Sequence, residues 1–267
     1  MHRKRILGAI AAALLCGSCF DLTEEIWIEA DGSGRIRLDV GIDSKTFEMM
    51  AGMGGEENPF DLDTKNAELR RQIDANPNFI SGKIDLYEKS GSHHLVWEVE
   101  VADITQLSTD DLRKLTDGGG EDGGQGDDLG GEFTITKMPG GFRFQQKMED
   151  PSADMGDADA VAMQAMVAQM FAGHYFTIRV HGPGFESHNG TSAADDYVEW
   201  RFALDDLMTG NVELLDLEAV ITAASNGGGG GAVAGASSSG GLLTIIIGAS
   251  VLLVVGAGMI LFGRFHG

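Results

Sequence analysis

Apolar and polar residues alternate with period two along much of the chain. In residues 25–42, EIWIEADGSGRIRLDVGI, Ile26, Ile28 and Ala30 alternate with Trp27 and Glu29, and Ile36, Leu38, Val40 and Ile42 alternate with Arg35, Arg37 and Asp39. Asp31-Gly32-Ser33-Gly34 lies between them, so the spacing predicts a β-hairpin with one buried face. The pattern returns in 83–89 and 93–101, across Ser90-Gly91-Ser92, where Leu95, Trp97, Val99 and Val101 share a face. It returns again in 132–137 and 142–148 around Met138-Pro139-Gly140-Gly141, then near Phe176, Ile178 and Val180, and near Val198, Trp200 and Phe202. A last strand is expected around 212–220.

Helical spacing is rarer. Short helices are predicted at 44–53, at 62–77 (ending at Asn76-Pro77) and at 108–118, where Ser108 and Asp111 have capping-box spacing. The strongest helical stripe is Met163, Met166, Val167, Met170 and Phe171 within 159–174. Met and Phe at this spacing pack cores, and Met-rich faces also line grooves for lipids or peptides. Strands with one wet and one apolar face, and helices between hairpins, predict an α+β fold: an antiparallel sheet with helices packed on one face.

The two ends change the picture. The chain opens Met1-His2-Arg3-Lys4-Arg5 and continues ILGAIAAALL, the basic and short apolar regions of an export signal. Residues 242–262, LLTIIIGASVLLVVGAGMILF, carry no charge and are long enough to cross a bilayer as a helix. They follow a Gly/Ser-rich linker, 226–241, and precede only Gly263-Arg264-Phe265-His266-Gly267. With no Lys or Arg between 202 and 241, Arg264 favours a cytoplasmic C-terminus. A single Arg there contrasts with the several basic residues that usually close a clipped sorting tail. The expected organisation is a signal peptide at 1–18, an extracytoplasmic domain at 19–225, the linker, a transmembrane helix at 242–262 and a tail at 263–267.

Cys16 and Cys19 are the two cysteines, in the stretch LLCGSCFD. A zinc site needs more soft ligands, and a redox C-x-x-C needs a strand before it. Gly17-Ser18-Cys19 instead supplies the two small residues and the cysteine of a bacterial lipoprotein leader, cut before a lipidated Cys19. Cys16 stands where such leaders usually carry Leu. The mature domain then has no disulfide and relies on its core.

All 41 Asp and Glu lie between the two membrane segments, against 15 of the 19 Lys and Arg, so that region carries a formal −26. This charge excludes nucleic acid as a partner and repels anionic headgroups at long range. It favours solubility, and cations or basic partners as ligands.

Candidate chemistry is sparse. There is no H-E-x-x-H, no G-x-S-x-G and no dinucleotide fingerprint. No cofactor and no catalytic residue is assigned. His93-His94 is placed at a hairpin turn. His181, Glu186 and His188 in HGPGFESH offer three zinc-type ligands, although Gly182, Pro183 and Gly184 read more simply as a turn. The acidic stretch DGGGEDGGQGDDLGG (117–131) has the beginning of one calcium-binding nonapeptide without a tandem copy. Asn189-Gly190-Thr191 matches a glycosylation acceptor, which a bacterial leader makes irrelevant.

The order of these features resembles the LppM-like bacterial cell-envelope lipoproteins. The resemblance rests on Cys19, on Asp31-Gly32-Ser33-Gly34, and on Pro183-Gly184, Asn189-Gly190 and Val198-Glu199-Trp200. It covers residues 20–222 in outline, plus the C-terminal helix, and leaves 117–131 without a counterpart. It implies an α+β envelope domain of non-enzymatic or unassigned role, with lipid as a candidate ligand, and transfers no catalytic residue. The expected function is a non-catalytic lipoprotein, anchored in the cytoplasmic membrane by Cys19 and a single helix, whose ectodomain binds a lipid, an envelope component or a protein partner. The alternatives are a zinc-dependent or acid/base envelope hydrolase, and a calcium-responsive adhesion or sensing module.

Overall fold

The computed structural model describes residues 20–53, 61–108, 111, 132–147, 171–209, 212 and 216–223. The described residues are mostly β, with a few short helices. β1 (Phe20–Ile28) and β2 (Gly34–Asp43) form the first hairpin. α1 (Ser44–Met53) and α2 (Leu62–Ala75) follow, then β3 (Phe79–Lys89) and β4 (Ser92–Val101). β5 (Glu132–Met138) and β6 (Gly141–Lys147) form a separate hairpin. β7 (Tyr175–His181), β8 (Phe185–His188), β9 (Ser192–Ala193), β10 (Tyr197–Ala203), α3 (Leu204–Thr209) and β11 (Asp216–Thr222) complete the order.

The strands make two sheets, where one antiparallel sheet was expected. The larger has seven strands in the order β3-β4-β2-β1-β7-β10-β9, and the smaller has four, β5-β6-β11-β8. Within the larger sheet β1 and β7 are parallel, with Leu22 opposite Phe176 and Ile26 opposite Val180. Local alternation reports which face of a strand is buried, not which strand lies beside it. A parallel neighbour reached only after a long crossover leaves no mark in that pattern. Among the described residues no helix is long and apolar enough to cross a membrane; 242–262 lies outside them.

Even-numbered residues of β1, β2, β7 and β10 face a shared core. Leu22, Ile26, Ile178, Val198 and Trp200 from the larger sheet join Phe133, Phe142, Phe144, Leu217 and Ile221 from the smaller. The Phe144 and Trp200 rings meet at 5.8 Å. Each such fully buried side chain contributes about 1.5–3 kcal/mol relative to exposure. Helix packing on one face is met in part by α2, which buries Leu69 against β3. Gly82 of β3 makes room for it: a Cβ there would lie 2.7 Å from Ile73 Cδ1 and 3.3 Å from Leu69 Cδ2.

β3 is an edge strand, and edges invite pairing with other chains. α2 covers part of this one with a side-chain amide. Asn66 Oδ1 accepts the Ile84 N–H at 2.8 Å, and Asn66 Nδ2 donates to the Ile84 carbonyl at 2.9 Å. The β3–β4 turn is Ser90-Gly91, with φ of 56° and 81°. Positive φ at both positions is what a two-residue hairpin of matching twist requires.

Of the other sequence expectations, Ser108 and Asp111 do form reciprocal capping bonds, Asp111 N–H to Ser108 Oγ and Ser108 N–H to Asp111 Oδ2. Phe171 is buried and meets the Phe20 ring edge-on at 5.5 Å. The rest of the 159–174 stripe and the 117–131 stretch lie outside the described residues.

Candidate functional site

Alternation sends the odd-numbered residues of β1, β2, β7 and β10 to the side of the larger sheet away from the core. Cross-strand register then arranges them in rows. One row runs Lys83, Glu98, Arg37, Glu25, Arg179, Glu199 across six strands, each residue opposite the next. The charges alternate along it, so each residue has unlike charges as lateral neighbours. Opposite charges in such positions stabilise the pairing, and like charges would oppose it.

Glu25 is the hub. Its carboxylate lies 3.1 Å from Arg37 Nη1, 3.7 Å from Arg179 Nη1 and 3.4 Å from His181 Nε2. The His181 hydrogen bond, ahead of the charges on Arg37 and Arg179, holds the Glu25 carboxyl below the usual carboxylate range despite its burial. Arg179 Nε also donates to Glu199 Oε2 at 2.6 Å. Arg37 reaches Asp39 at 2.9 Å, and Asp39 accepts from the Tyr87 hydroxyl at 3.0 Å and meets His94 Nδ1 at 2.7 Å.

The neighbouring row is three aromatic rings capped by an arginine: Arg35, Trp27, His181 and Tyr197 are successive cross-strand partners. The Arg35 guanidinium lies 3.9 Å over the Trp27 ring, and His181 stacks on Trp27 at 4.5 Å and 6°. Tyr197 closes the row 5.7 Å from His181. Farther down the face, Arg201 lies 3.7 Å over Tyr175. The result is a broad polar face whose side chains are ordered by one another.

His181 Nε2 thus has a carboxylate within reach, as an imidazole that moves a proton would need. Acyl transfer would also need a hydroxyl or thiol on its other nitrogen, and among the described residues none is bonded there.

The sequence-level zinc trio does not assemble. His181 belongs to the outer face of the larger sheet, whereas Glu186 and His188 lie on β8 of the smaller one. Glu186 and His188 instead line an open groove of about 470 Å³ with Phe185, Ser187, Ala193, Ala194 and Asp195. Among the described residues no three His, Cys, Asp or Glu side chains converge as metal ligands. His93 and His94 were expected at a turn but lie within β4, where they point to opposite faces: His94 to Asp39, His93 stacked on Phe47 at 4.0 Å.

The motif residues sit at joints. Asp31 Oδ1 accepts from the Ser33 N–H at 2.9 Å and from its hydroxyl at 2.7 Å, shaping the β1–β2 turn. A Cβ on Gly32, at φ 94°, would lie 3.6 Å from the Phe142 ring of the smaller sheet. Asn189 bonds to Trp200, Glu218 and Asp216, so the glycosylation-like triplet has its amide engaged within the fold.

Sequence reasoning missed two acidic residues. Glu25 and His181 are 156 residues apart, and only the parallel β1–β7 pairing joins them. Glu24 points the other way, into the core. It is 3 % exposed, its Oε2 has no hydrogen-bond partner, and burial raises its pKa to about 7. Cys19 lies outside the described residues; Phe20, next to it, is the first described residue and already starts β1.

No family model matches the chain, and no curated protein matches it in sequence. Among solved structures, the chain is similar to the folded domain of LppM from Mycobacterium tuberculosis, determined by NMR. The two share 14% identity over 77% of this chain and 92% of that one, with a TM-score of 0.40.

Proposed function

We propose that this protein is a membrane-anchored, non-catalytic cell-envelope lipoprotein of the LppM-like kind. Its ectodomain binds a lipid, an envelope component or a protein partner, and the polar face around Glu25 is the surface it presents. The observation that carries the reading is the position of Phe20. A strand at the centre of the larger sheet begins one residue after the cysteine that the leader marks for lipidation. Cleavage before Cys19 would leave the whole of β1 in the mature chain. The apolar stretch 242–262 supplies the second, permanent anchor.

The non-catalytic part draws support from the outer face itself. Its Glu, Arg and His side chains are engaged with one another, and the zinc-type trio is split between two sheets. The test is metabolic labelling with palmitate in a bacterium that processes lipoproteins. Label is expected in the natural sequence and in Cys16→Ala, and is lost in Cys19→Ala. Label that survives Cys19→Ala defeats the reading.

A further inference from the structure

We propose that the outer face of the larger sheet docks a second copy of this chain, face to face, about a two-fold axis that runs along the strands between β1 and β2. The proposal rests on the reading of this face as the surface the domain presents, and it names the partner.

Register fixes what such an axis brings together. Six strands, β3, β4, β2, β1, β7 and β10, lie side by side across this face, so its midline falls between β2 and β1. An axis along that midline sets β3 of one copy over β10 of the other, β4 over β7 and β2 over β1. The charged row then meets itself reversed. Its signs alternate from Lys83 at one end to Glu199 at the other, so reversal puts every charge against its opposite. Lys83 faces Glu199, Glu98 faces Arg179 and Arg37 faces Glu25. Each pair occurs twice, as a two-fold interface requires.

The rows on either side obey the same rule. On one side the row is Asp85, Val96, Asp39, Thr23, Thr177, Arg201. Reversed, it sets Asp85 against Arg201, Val96 against Thr177 and Asp39 against Thr23. On the other side Glu100 meets His181 and Arg35 meets Trp27. Arg35 already lies 3.9 Å over the Trp27 of its own chain, so the contact repeats a cation–π pairing that this face makes within one copy. No like charges meet in any of the three rows. A two-fold axis along the charged row would instead set each of its residues against itself, so charge selects the axis.

Charge balance points to the same face. The three rows hold five basic and six acidic side chains, a net −1, within an ectodomain that carries −26. Two acidic copies repel at long range, and across a near-neutral face that repulsion is small. The margins of the face are open: Lys83, Asp85, Glu100 and Arg201 are exposed. α2 packs on the opposite side of the sheet, where Gly82 meets Ile73 and Leu69.

Size sets the strength. Five strand spacings of about 4.8 Å, and six residue steps of about 3.4 Å from Asp21 to Trp27, give a patch of about 24 by 20 Å. Two such patches bury about 1,000 Å², near the lower bound for a specific interface, so the dimer is weak and reversible. Twisted sheets stack with strand directions within about 30° of each other, which keeps the central pairs closest.

The experiment is sedimentation equilibrium of the full-length protein in an uncharged detergent, with the variants Lys83→Glu and Glu199→Lys. These residues lie five strand spacings apart in one copy and face each other in the dimer. The natural sequence is expected to show a monomer–dimer equilibrium. Each variant alone should dimerise about tenfold more weakly, because two ion pairs become two like-charge contacts. An equimolar mixture of the two variants should recover most of the lost affinity, since the mixed dimer has one natural pair and one with its signs exchanged. A natural sequence that stays monomeric at every concentration overturns the proposal and leaves this face to a different partner. Dimers that both variants keep lie on another surface, and overturn the proposal together with the reading of this face. Weakening in both variants without recovery in the mixture overturns the two-fold pairing. Mass analysis of the same samples showing unmodified Cys19 overturns the lipoprotein reading alone.

Discussion

Asn189 holds the indole of Trp200. Its Oδ1 accepts the Trp200 Nε1–H at 3.0 Å and the Glu218 N–H at 2.9 Å, while its Nδ2 donates to the Asp216 carbonyl at 2.7 Å. Trp200 belongs to β10 of the larger sheet, and Asp216 and Glu218 to β11 of the smaller one. One amide therefore ties the two sheets together beside their shared core. Asn189→Leu would leave the part-buried indole N–H without its partner and open the Glu218 N–H to water, at a cost of about 1–2 kcal/mol. Urea unfolding should show a lower midpoint with an unchanged slope. In a double-mutant cycle with Trp200→Phe, the two changes should couple rather than add.

Glu24 makes the core less stable as pH rises from 4.5 to 7. Its folded pKa of about 7 lies above the ordinary 4.5. Between those values the folded form holds a proton that the unfolded form has lost, so stability falls as pH rises. The slope is about 1.4 kcal/mol per pH unit, and the loss saturates above pH 7 at roughly 3 kcal/mol. Below pH 4.5 the penalty is absent. Glu24→Gln should remove this part of the pH dependence. It should raise stability at pH 8 and change it little at pH 4, as read from urea midpoints at each pH.

Glu25 has the opposite sign. Its folded pKa is held low, so its contribution is present above pH 4.5 and is lost as pH falls through the folded value. Glu25→Ala would leave Arg37 and Arg179 facing each other without their shared carboxylate. The pair is partly screened by solvent, so the expected cost is about 1–2 kcal/mol at neutral pH. Thermal melts should show the deficit shrinking in high salt and at pH 3.

Asn66 protects an edge. Asn66→Ala uncovers the N–H and carbonyl of Ile84 beside the exposed Ile80. The expected outcome is modest destabilisation, near 1 kcal/mol, with concentration-dependent association of the ectodomain. Light scattering checks it, and a strictly monomeric variant at high concentration counts against the role.

The strands were legible because alternation is a local property. Every hairpin read from the sequence is present, and α1 and α2 begin where the pattern placed them. Two acidic residues hid the start of β1: Thr23, Glu24 and Glu25 interrupt the apolar period, although Glu24 occupies a core-facing position. β8 and β9 are too short to show a period, and the link from β1 to β7 is a matter of register. The outer-face site was illegible for the same reason. Glu25, Arg179 and His181 are unremarkable in isolation and meet only through that pairing. The motif residues were visible as turns, but their role as joints between sheets depends on Trp200 and Phe142 lying across from them.

The central proposal is that Cys19, the residue before β1, is lipidated. Its most direct test is mass spectrometry of the N-terminal peptide from protein extracted from bacterial membranes. The account predicts a mature chain that starts at Cys19, carries a diacylglyceryl group on its thiol and continues with Phe20. A mature chain that starts elsewhere, or an unmodified Cys19, would contradict it.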